Sequence, residues 1–172
     1  MAIVRAAKPP KLKLTTLDIE LAVADHFNYR ENLIVPNVSW GLGFSHELDV
    51  MILKPSGYAW EVEIKIDKSD LKNDLNKIHG HHSNKIRRVY FALPDNLVEC
   101  ALEILPERFG ILNFRTQYFQ KHGAKQKLQT IRVPKENRQA RRLTEQEIKH
   151  LYELASMRTW TLKRKLAKQL KK

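Results

Sequence analysis

Cysteine is nearly absent from this chain of 172 residues: Cys100 is the only one, so no intrachain disulfide can form. This excludes the small secreted proteins that disulfides stabilise and favours a reducing, cytoplasmic setting. Apolar runs of the roughly 18–20 residues that span a bilayer are also missing. Residues 1–14 mix basic residues, prolines and apolar residues without the apolar stretch of a signal peptide. We therefore expect an intracellular protein with no membrane partner.

Negative charge is scarce in the last third of the chain. Residues 1–114 contain 14 Lys+Arg and 15 Asp+Glu, whereas residues 115–172 contain 17 and 4, so the whole net charge of +12 originates there. A near-neutral body with a strongly basic end is typical of proteins that bind a polyanion, most often nucleic acid. A solvated basic tail without a partner is the alternative interpretation.

The length and the hydrophobic content of 42% suit one folded domain with an appendage. We predict three parts along the chain: a basic N-terminal arm at residues 1–14, a folded core at residues 15–115, and a basic, partly helical C-terminal region at residues 116–172. Two large domains are excluded by the length.

The first predicted element is a helix over residues 15–29, with Thr15 or Thr16 as its N-cap. At 100° per residue, Glu20 falls inside the apolar face of this helix, where an ionised carboxylate needs a partner. The apolar residues of that face are Leu17, Ile19, Leu21, Val23, Ala24 and Phe27.

Strict alternation of apolar and polar residues from His46 to Ile66 predicts a β-hairpin with Pro55-Ser56-Gly57 as its turn. Counting back from the turn places Asp49 opposite Glu63, and two opposed carboxylates destabilise a hairpin unless a cation compensates them. The predicted apolar face carries Leu48, Val50, Ile52, Trp60, Val62, Ile64 and Ile66. The opposite face carries Glu47, Asp49, Met51, Glu61, Glu63 and Lys65.

The remaining pattern completes a mixed α/β order of elements. A capping box at Thr144 and Glu147, with Leu143 and Ile148 as a hydrophobic staple, predicts a helix that ends near Ser156 and is followed by a second, basic helix. The other predicted elements are a strand over Leu33 to Trp40, a short helix capped by Ser69, a strand over Arg87 to Leu93, a helix over residues 95–105 and a strand over Gly110 to Phe114.

The hairpin carries the candidate chemistry. Mg²⁺ is held in proteins by one or two carboxylates together with waters and phosphate oxygens, and Asp49 and Glu63 offer such ligands. Lys65 follows on the same face, and Glu20 adds a carboxylate if the first helix packs over that face. The alternative is a solvated outer sheet face, on which Glu47 pairs with Lys65 and Glu61 with another lysine.

These residues resemble a known family. Asp49, followed on the next strand by Glu63-Ile64-Lys65, resembles the motif of the PD-(D/E)XK nuclease superfamily over roughly residues 15–115. The stretch from His46 to Leu93 is similar in particular to the MmcB-like DNA repair nucleases. The resemblance implies a restriction-endonuclease-like core of order α-β-β-β-α-β, a mixed sheet flanked by helices. Leu48 stands where the motif has its proline.

The resemblance also implies an activity, that of an Mg²⁺- or Mn²⁺-dependent endonuclease acting on DNA in repair, recombination or phage DNA processing. In this family the acidic residues bind the metal, which implicates Asp49, Glu63 and Glu20. The lysine assists the attacking water, which implicates Lys65.

Basic residues are the expected contacts to DNA, and a homodimer is left open. A non-catalytic DNA-binding or assembly module that keeps the nuclease fold is the alternative function, and an RNA-processing enzyme is a third. A zinc site at His46, His79, His81 and His82 is less favoured, because no cysteine accompanies them. The predicted DNA-binding residues are Lys68, Lys72, Arg138, Arg141, Arg142, Lys163, Arg164 and Lys165.

Overall fold

The structure, a computed structural model, describes residues 14–39, 41–75, 83–119 and 123–171. As predicted, the fold is α/β with a mixed sheet. The elements are α1 (Thr16–His26), β1 (Leu33–Val38), β2 (Leu48–Leu53), β3 (Ala59–Ile64), α2 (Lys68–Leu75), β4 (Ile86–Pro94), a short 3-10 helix (Asp95–Leu97), α3 (Val98–Ile104), β5 (Gly110–Phe119), β6 (Gly123–Arg132) and α4 (Glu145–Gln169).

The six strands form one sheet in chain order from β1 to β6. The pairs β3/β4 and β4/β5 are parallel and the other three are antiparallel. Parallel neighbours require a crossover, which α2 and α3 provide. Pro36 lies on β1, an edge strand, where a residue that lacks an N–H is tolerated.

The β2–β3 hairpin has the predicted turn and register. Lys54 N donates to Tyr58 O at 2.9 Å, and Gly57 N donates to Lys54 O at 2.8 Å. Gly57 has a φ of +83°, a conformation that glycine adopts without steric cost. Met51 pairs with Glu61, which confirms the register counted from the sequence.

Helix α1 covers one face of the sheet with a narrower apolar stripe than predicted. Thr15 and Asp18 form a capping box at its start, which confirms the predicted N-cap. Leu17 and Leu21 are 56% and 60% exposed, so their assignment to the packed face was wrong. The stripe follows an i, i+3, i+4 spacing instead. It consists of Ile19, Ala22, Val23 and Phe27, packed on Val50, Ile52, Val62 and Ile64.

Helices α2, α3 and α4 cover the other face of the sheet. They contribute Leu71, Ala101 and Leu151 to a core that also contains Met51. Leu48 belongs to this core as well, and Ile66 is 37% exposed, so neither lies on the predicted apolar face. This covering layer contradicts the solvated-face interpretation of the hairpin.

The C-terminal third is part of the same core. The predicted boundary at residue 115 falls inside β5, and β6 extends the sheet beyond it. Leu128, Leu143 and Leu154 are all buried. Strand β6 was not predicted, because it is an edge strand whose described residues include one buried side chain, that of Leu128.

Helix α4 begins as predicted and then differs. The capping box of Thr144 and Glu147 is present, and Leu143 and Ile148 pack into the core. The two predicted helices are one, which continues through Ser156 without a break. No residue from 156 to 171 is buried, and beyond Arg158, whose guanidinium donates a hydrogen bond to Asn37 O, α4 projects from the core. We call residues 156–171 the basic arm.

Some predictions concern residues outside the described ranges. They are residues 1–13 of the predicted N-terminal arm, Trp40 as the end of the first strand, and the histidines at positions 79, 81 and 82. In the part of the chain that is described, no helix combines the length and the apolar character needed to cross a bilayer.

Candidate functional site

Strand β3 and the residue that follows it present three charged side chains on the face that α2, α3 and α4 cover. Because side chains alternate along a strand, Glu61, Glu63 and Lys65 follow one another on that face. They are 1%, 4% and 4% exposed. Three charged side chains at this depth require compensating partners, since burial of an isolated charge is costly.

Lys65 lies between two carboxylates. Its Nζ is 3.2 Å from Glu63 Oε2 and 3.9 Å from Asp70 Oδ2. Asp70 belongs to the first turn of α2, where its backbone N–H donates to Asp67 Oδ1 at 2.8 Å. The side chain that caps α2 is therefore Asp67 and not the predicted Ser69, whose hydroxyl donates to the same oxygen. Helix α2 thus brings a second carboxylate to Lys65.

Asp49 reaches β3 from the neighbouring strand. Its Oδ2 accepts a hydrogen bond of 2.7 Å from the backbone N–H of Ile64. Ile64 is the residue between Glu63 and Lys65, so this bond fixes the Asp49 carboxylate beside them. The structure therefore brings together the three residues of the predicted hairpin motif.

Glu20 is half-buried on α1. Burial raises the pKa of its carboxyl group above the ordinary value, and the negative charge of Asp49 raises it further. Glu20 is thus within electrostatic range of Asp49, but α1 packs on the apolar face of the hairpin and not over the acidic face, as the sequence analysis required for Glu20 to join the site. A cation close to these two carboxylates would lower the cost of their repulsion.

A second group, which the sequence analysis did not assign as a site, lies next to Glu63. His46 Nε2 is 3.0 Å from Glu61 Oε1. One ligand atom from each of His46, Glu61 and Glu63 lies within 4.8 Å of the other two, and this group does not include Asp49 or Glu20. The alternation of Glu61, Glu63 and Lys65 was the available signal, but their burial is not visible in the sequence.

The loop that carries His46 is held against α4. Gly41 and Gly43 have φ values of +83° and +67°, and a Cβ on Gly41 would overlap the imidazole of His150. Leu42, between the two glycines, is 1% exposed. Its carbonyl oxygen accepts a hydrogen bond from Lys85. Residues 41–46 therefore depend on α4 for their position.

Glu147, at the start of α4, takes part in the contacts that hold this loop. Arg141 donates two hydrogen bonds of 2.7 Å to its carboxylate, and Lys85 Nζ lies 3.0 Å away. The Arg141 guanidinium is the main reason that the pKa of Glu147 lies far below its ordinary value, and hydrogen bonds from Thr144 and Lys85 lower this pKa further. Arg141, predicted to bind DNA, is thus engaged in an ion pair with Glu147, and its side chain is 40% exposed.

Replacing Glu147 by glutamine is expected to destabilise the protein by about 2 kcal/mol at pH 7, because it removes charge-assisted hydrogen bonds. The folded-state pKa is lowered, so this stabilisation is complete above the ordinary value of 4.5 and is lost as the pH falls below it. Urea unfolding should therefore show that the difference in unfolding free energy between wild type and Glu147→Gln narrows from pH 5 to pH 3. Replacement of the exposed Glu145 by glutamine is the control. A difference that is constant with pH would contradict the stabilising role of the Glu147 carboxylate.

The other predicted DNA-binding residues occupy three regions. Lys68 and Lys72 are exposed on α2, beside the acidic site. Arg138 is exposed before α4, and Arg142 stacks over the ring of Tyr58 at 5.6 Å. Lys163, Arg164 and Lys165 are exposed on the basic arm, where the Lys163 ammonium lies 5.2 Å from the ring of Trp160.

Comparisons with known proteins bear on the fold. No protein-family model and no curated protein matches the sequence. Among solved structures, a protein of unknown function from Silicibacter pomeroyi is similar, with a TM-score of 0.60 and 21% identity. The alignment covers 91% of this chain and 94% of that one. At this identity the likeness shows a shared fold.

Proposed function

We propose that the protein is a metal-dependent deoxyribonuclease with a restriction-endonuclease-like core. The observation that carries the proposal is the buried pair of Glu63 and Lys65, with the Asp49 carboxylate of the adjacent strand bonded to the backbone N–H of Ile64, the residue between them in sequence. This is the arrangement of acidic and lysine side chains that the resemblance to PD-(D/E)XK nucleases implies.

A purely structural role explains this set less well. Buried ion pairs seldom stabilise a fold more than apolar residues of the same volume would, because both charges lose their hydration. Charged groups in such positions are therefore more often retained for chemistry. Apolar residues of this sheet face, among them Met51, Val89 and Phe91, pack in the same core. That surrounding would equally accommodate apolar residues at positions 63 and 65.

The donor set fits a hard divalent cation. Carboxylate oxygens are the ligands that Mg²⁺ and Mn²⁺ prefer, and Asp49 and Glu63 would hold the ion, with Glu20 near Asp49. When bound, the ion would stabilise negative charge on the scissile phosphate and make an attacking water more acidic.

The residues of the chain supply positioning and charge. The Lys65 ammonium, held by Glu63 and Asp70, would hydrogen-bond the attacking water and offset the negative charge that develops at the phosphorus oxygens. Lys68 and Lys72, exposed on the helix that follows, would contact the flanking phosphates. DNA is the proposed polymer because the charge pattern and the resemblance both favour it.

The alternative function is a DNA-binding or assembly module without catalysis. The basic arm favours it, because residues 156–171 carry Lys and Arg and no acidic residue, and this feature is independent of the acidic site. Such a module would bind DNA through the arm and leave it intact.

A cleavage assay separates the two functions. The full chain is incubated with supercoiled, linear, branched and single-stranded DNA, and with RNA, in Mg²⁺, in Mn²⁺ or in EDTA. Products that require the metal and come from DNA are expected. DNA binding in EDTA with no cleavage in either metal would support the binding module, and cleavage of RNA alone would support the third function considered from the sequence.

A further inference from the structure

We infer that His46, Glu61 and Glu63 form a second cation site, one that takes a first-row transition-metal dication such as Mn²⁺. It extends the proposed nuclease site, on which it rests because Glu63 is common to both. The two sites differ in their ligands: Asp49 and Glu20 offer oxygen only, whereas His46 adds a nitrogen.

The distances fit a shared ion. Ligand atoms bound at right angles to an ion at about 2.1 Å lie about 3 Å from each other. His46 Nε2 and Glu61 Oε1 are 3.0 Å apart. A carboxylate oxygen of Glu63 completes the group within 4.8 Å of both. An ion could therefore bind with small side-chain rotations.

The charges of the group also favour a cation. Glu61 and Glu63 place two carboxylates where they are 1% and 4% exposed, and Lys65 Nζ lies 3.2 Å from Glu63. A dication bound there would have two carboxylates as ligands in a place that solvent hardly reaches. Such burial distinguishes the group from acidic clusters on protein surfaces, which solvent and salt screen.

The nitrogen ligand decides which ion is preferred. Imidazole is a ligand of first-row transition metals, and Mn²⁺ accepts it alongside the carboxylate oxygens that it prefers, whereas Mg²⁺ selects oxygen ligands. The nearby oxygen-only set of Asp49 and Glu20 would accept either class of ion. His46 lies in a loop that is held by the buried Leu42 and by the close approach of Gly41 to His150. This support limits the positions that the His46 imidazole can take.

The test measures Mn²⁺ binding to the full chain, stripped with EDTA, in the absence of DNA. Titration followed by electron paramagnetic resonance (EPR) gives the affinity, and pulsed EPR detects a directly coordinated imidazole nitrogen through its nuclear modulation. The variants are His46→Ala, Glu61→Gln and Asp49→Asn. His26→Ala is the matched control, because His26 is an exposed histidine at the end of α1.

Wild type should show nitrogen modulation, and His46→Ala should abolish it and weaken Mn²⁺ binding about tenfold or more. Glu61→Gln should also weaken Mn²⁺ binding. Competition titrations with Mg²⁺ should show that both variants lose less affinity for Mg²⁺ than for Mn²⁺. Asp49→Asn and His26→Ala should keep the nitrogen signal. Wild type without nitrogen modulation, or a folded His46→Ala with unchanged affinity, would overturn the inference and leave a hydrogen-bonded pair of His46 and Glu61.

These measurements separate the inference from the proposed function. Nitrogen-ligated Mn²⁺ in a protein that cleaves no nucleic acid would leave the second site standing and refute the nuclease. Metal-dependent cleavage of DNA with no nitrogen ligation would support the nuclease and refute the second site.

Discussion

Glu63→Gln is expected to lower the rate of DNA cleavage by roughly a hundredfold or more, because a cation at the reacting phosphate contributes several kcal/mol to transition-state stabilisation. The substitution preserves the shape of the side chain and removes both the charge that holds Lys65 and a proposed metal ligand. Steady-state cleavage in saturating Mg²⁺ measures the effect. Affinity for DNA should change little, since the basic arm is separate from this position.

The control for this experiment is Glu103→Gln, which changes an exposed glutamate of α3 in the same chemical way. Circular dichroism must show that both variants are folded. If Glu63→Gln fails to fold because Lys65 loses its buried partner, Asp49→Asn provides the same comparison at a half-buried position. Wild-type cleavage in a folded Glu63→Gln or Asp49→Asn variant would refute the site.

Neutralising Lys163, Arg164 and Lys165 together with glutamine is expected to weaken binding to duplex DNA and to flatten its salt dependence. Each phosphate contact contributes about 0.9 to the slope of log affinity against log salt, so losing three contacts would lower that slope by about 2.7. Fluorescence anisotropy with one labelled duplex at several salt concentrations measures both quantities. Helix α4 should persist, because all three side chains are exposed and glutamine is a good helix former.

A matched control neutralises three exposed basic residues away from the basic arm, Arg30, Lys135 and Lys149. Its slope should stay closer to that of wild type, since the surface around them carries acidic residues such as Glu31 and Glu107. Equal slopes for the arm variant and wild type would show that the core binds the phosphates, and the arm would then have no part in binding DNA.

The sequence was most informative where structure is local. The hairpin register follows from alternation and one turn, and the capping boxes at Thr15 and Thr144 mark two helix starts. These features depend on residues a few positions apart. The order of elements from α1 to the start of β5 was predicted for the same reason.

What the sequence did not reveal depends on contacts between distant segments. In the sequence, the acidic face of the hairpin has the pattern of a solvent-exposed face. Nothing near residue 61 indicates that α4, more than eighty residues later, helps to cover that side of the sheet. The pair of His46 and Glu61 needs both a folded loop and a buried strand. Strand β6 has too few apolar residues to stand out, since an edge strand buries little.

The position at which burial ends in α4 has a practical consequence for shorter versions of the protein. A fragment that stops near residue 156 retains Leu151, Leu154 and the carboxylate of Glu147, to which Arg141 and Lys85 bind. A fragment that stops at residue 114 lacks the buried Leu143, Leu151 and Leu154, strand β6, and the His150 imidazole beside Gly41. The smallest piece that can display the acidic site is therefore much longer than the stretch that carries its motif.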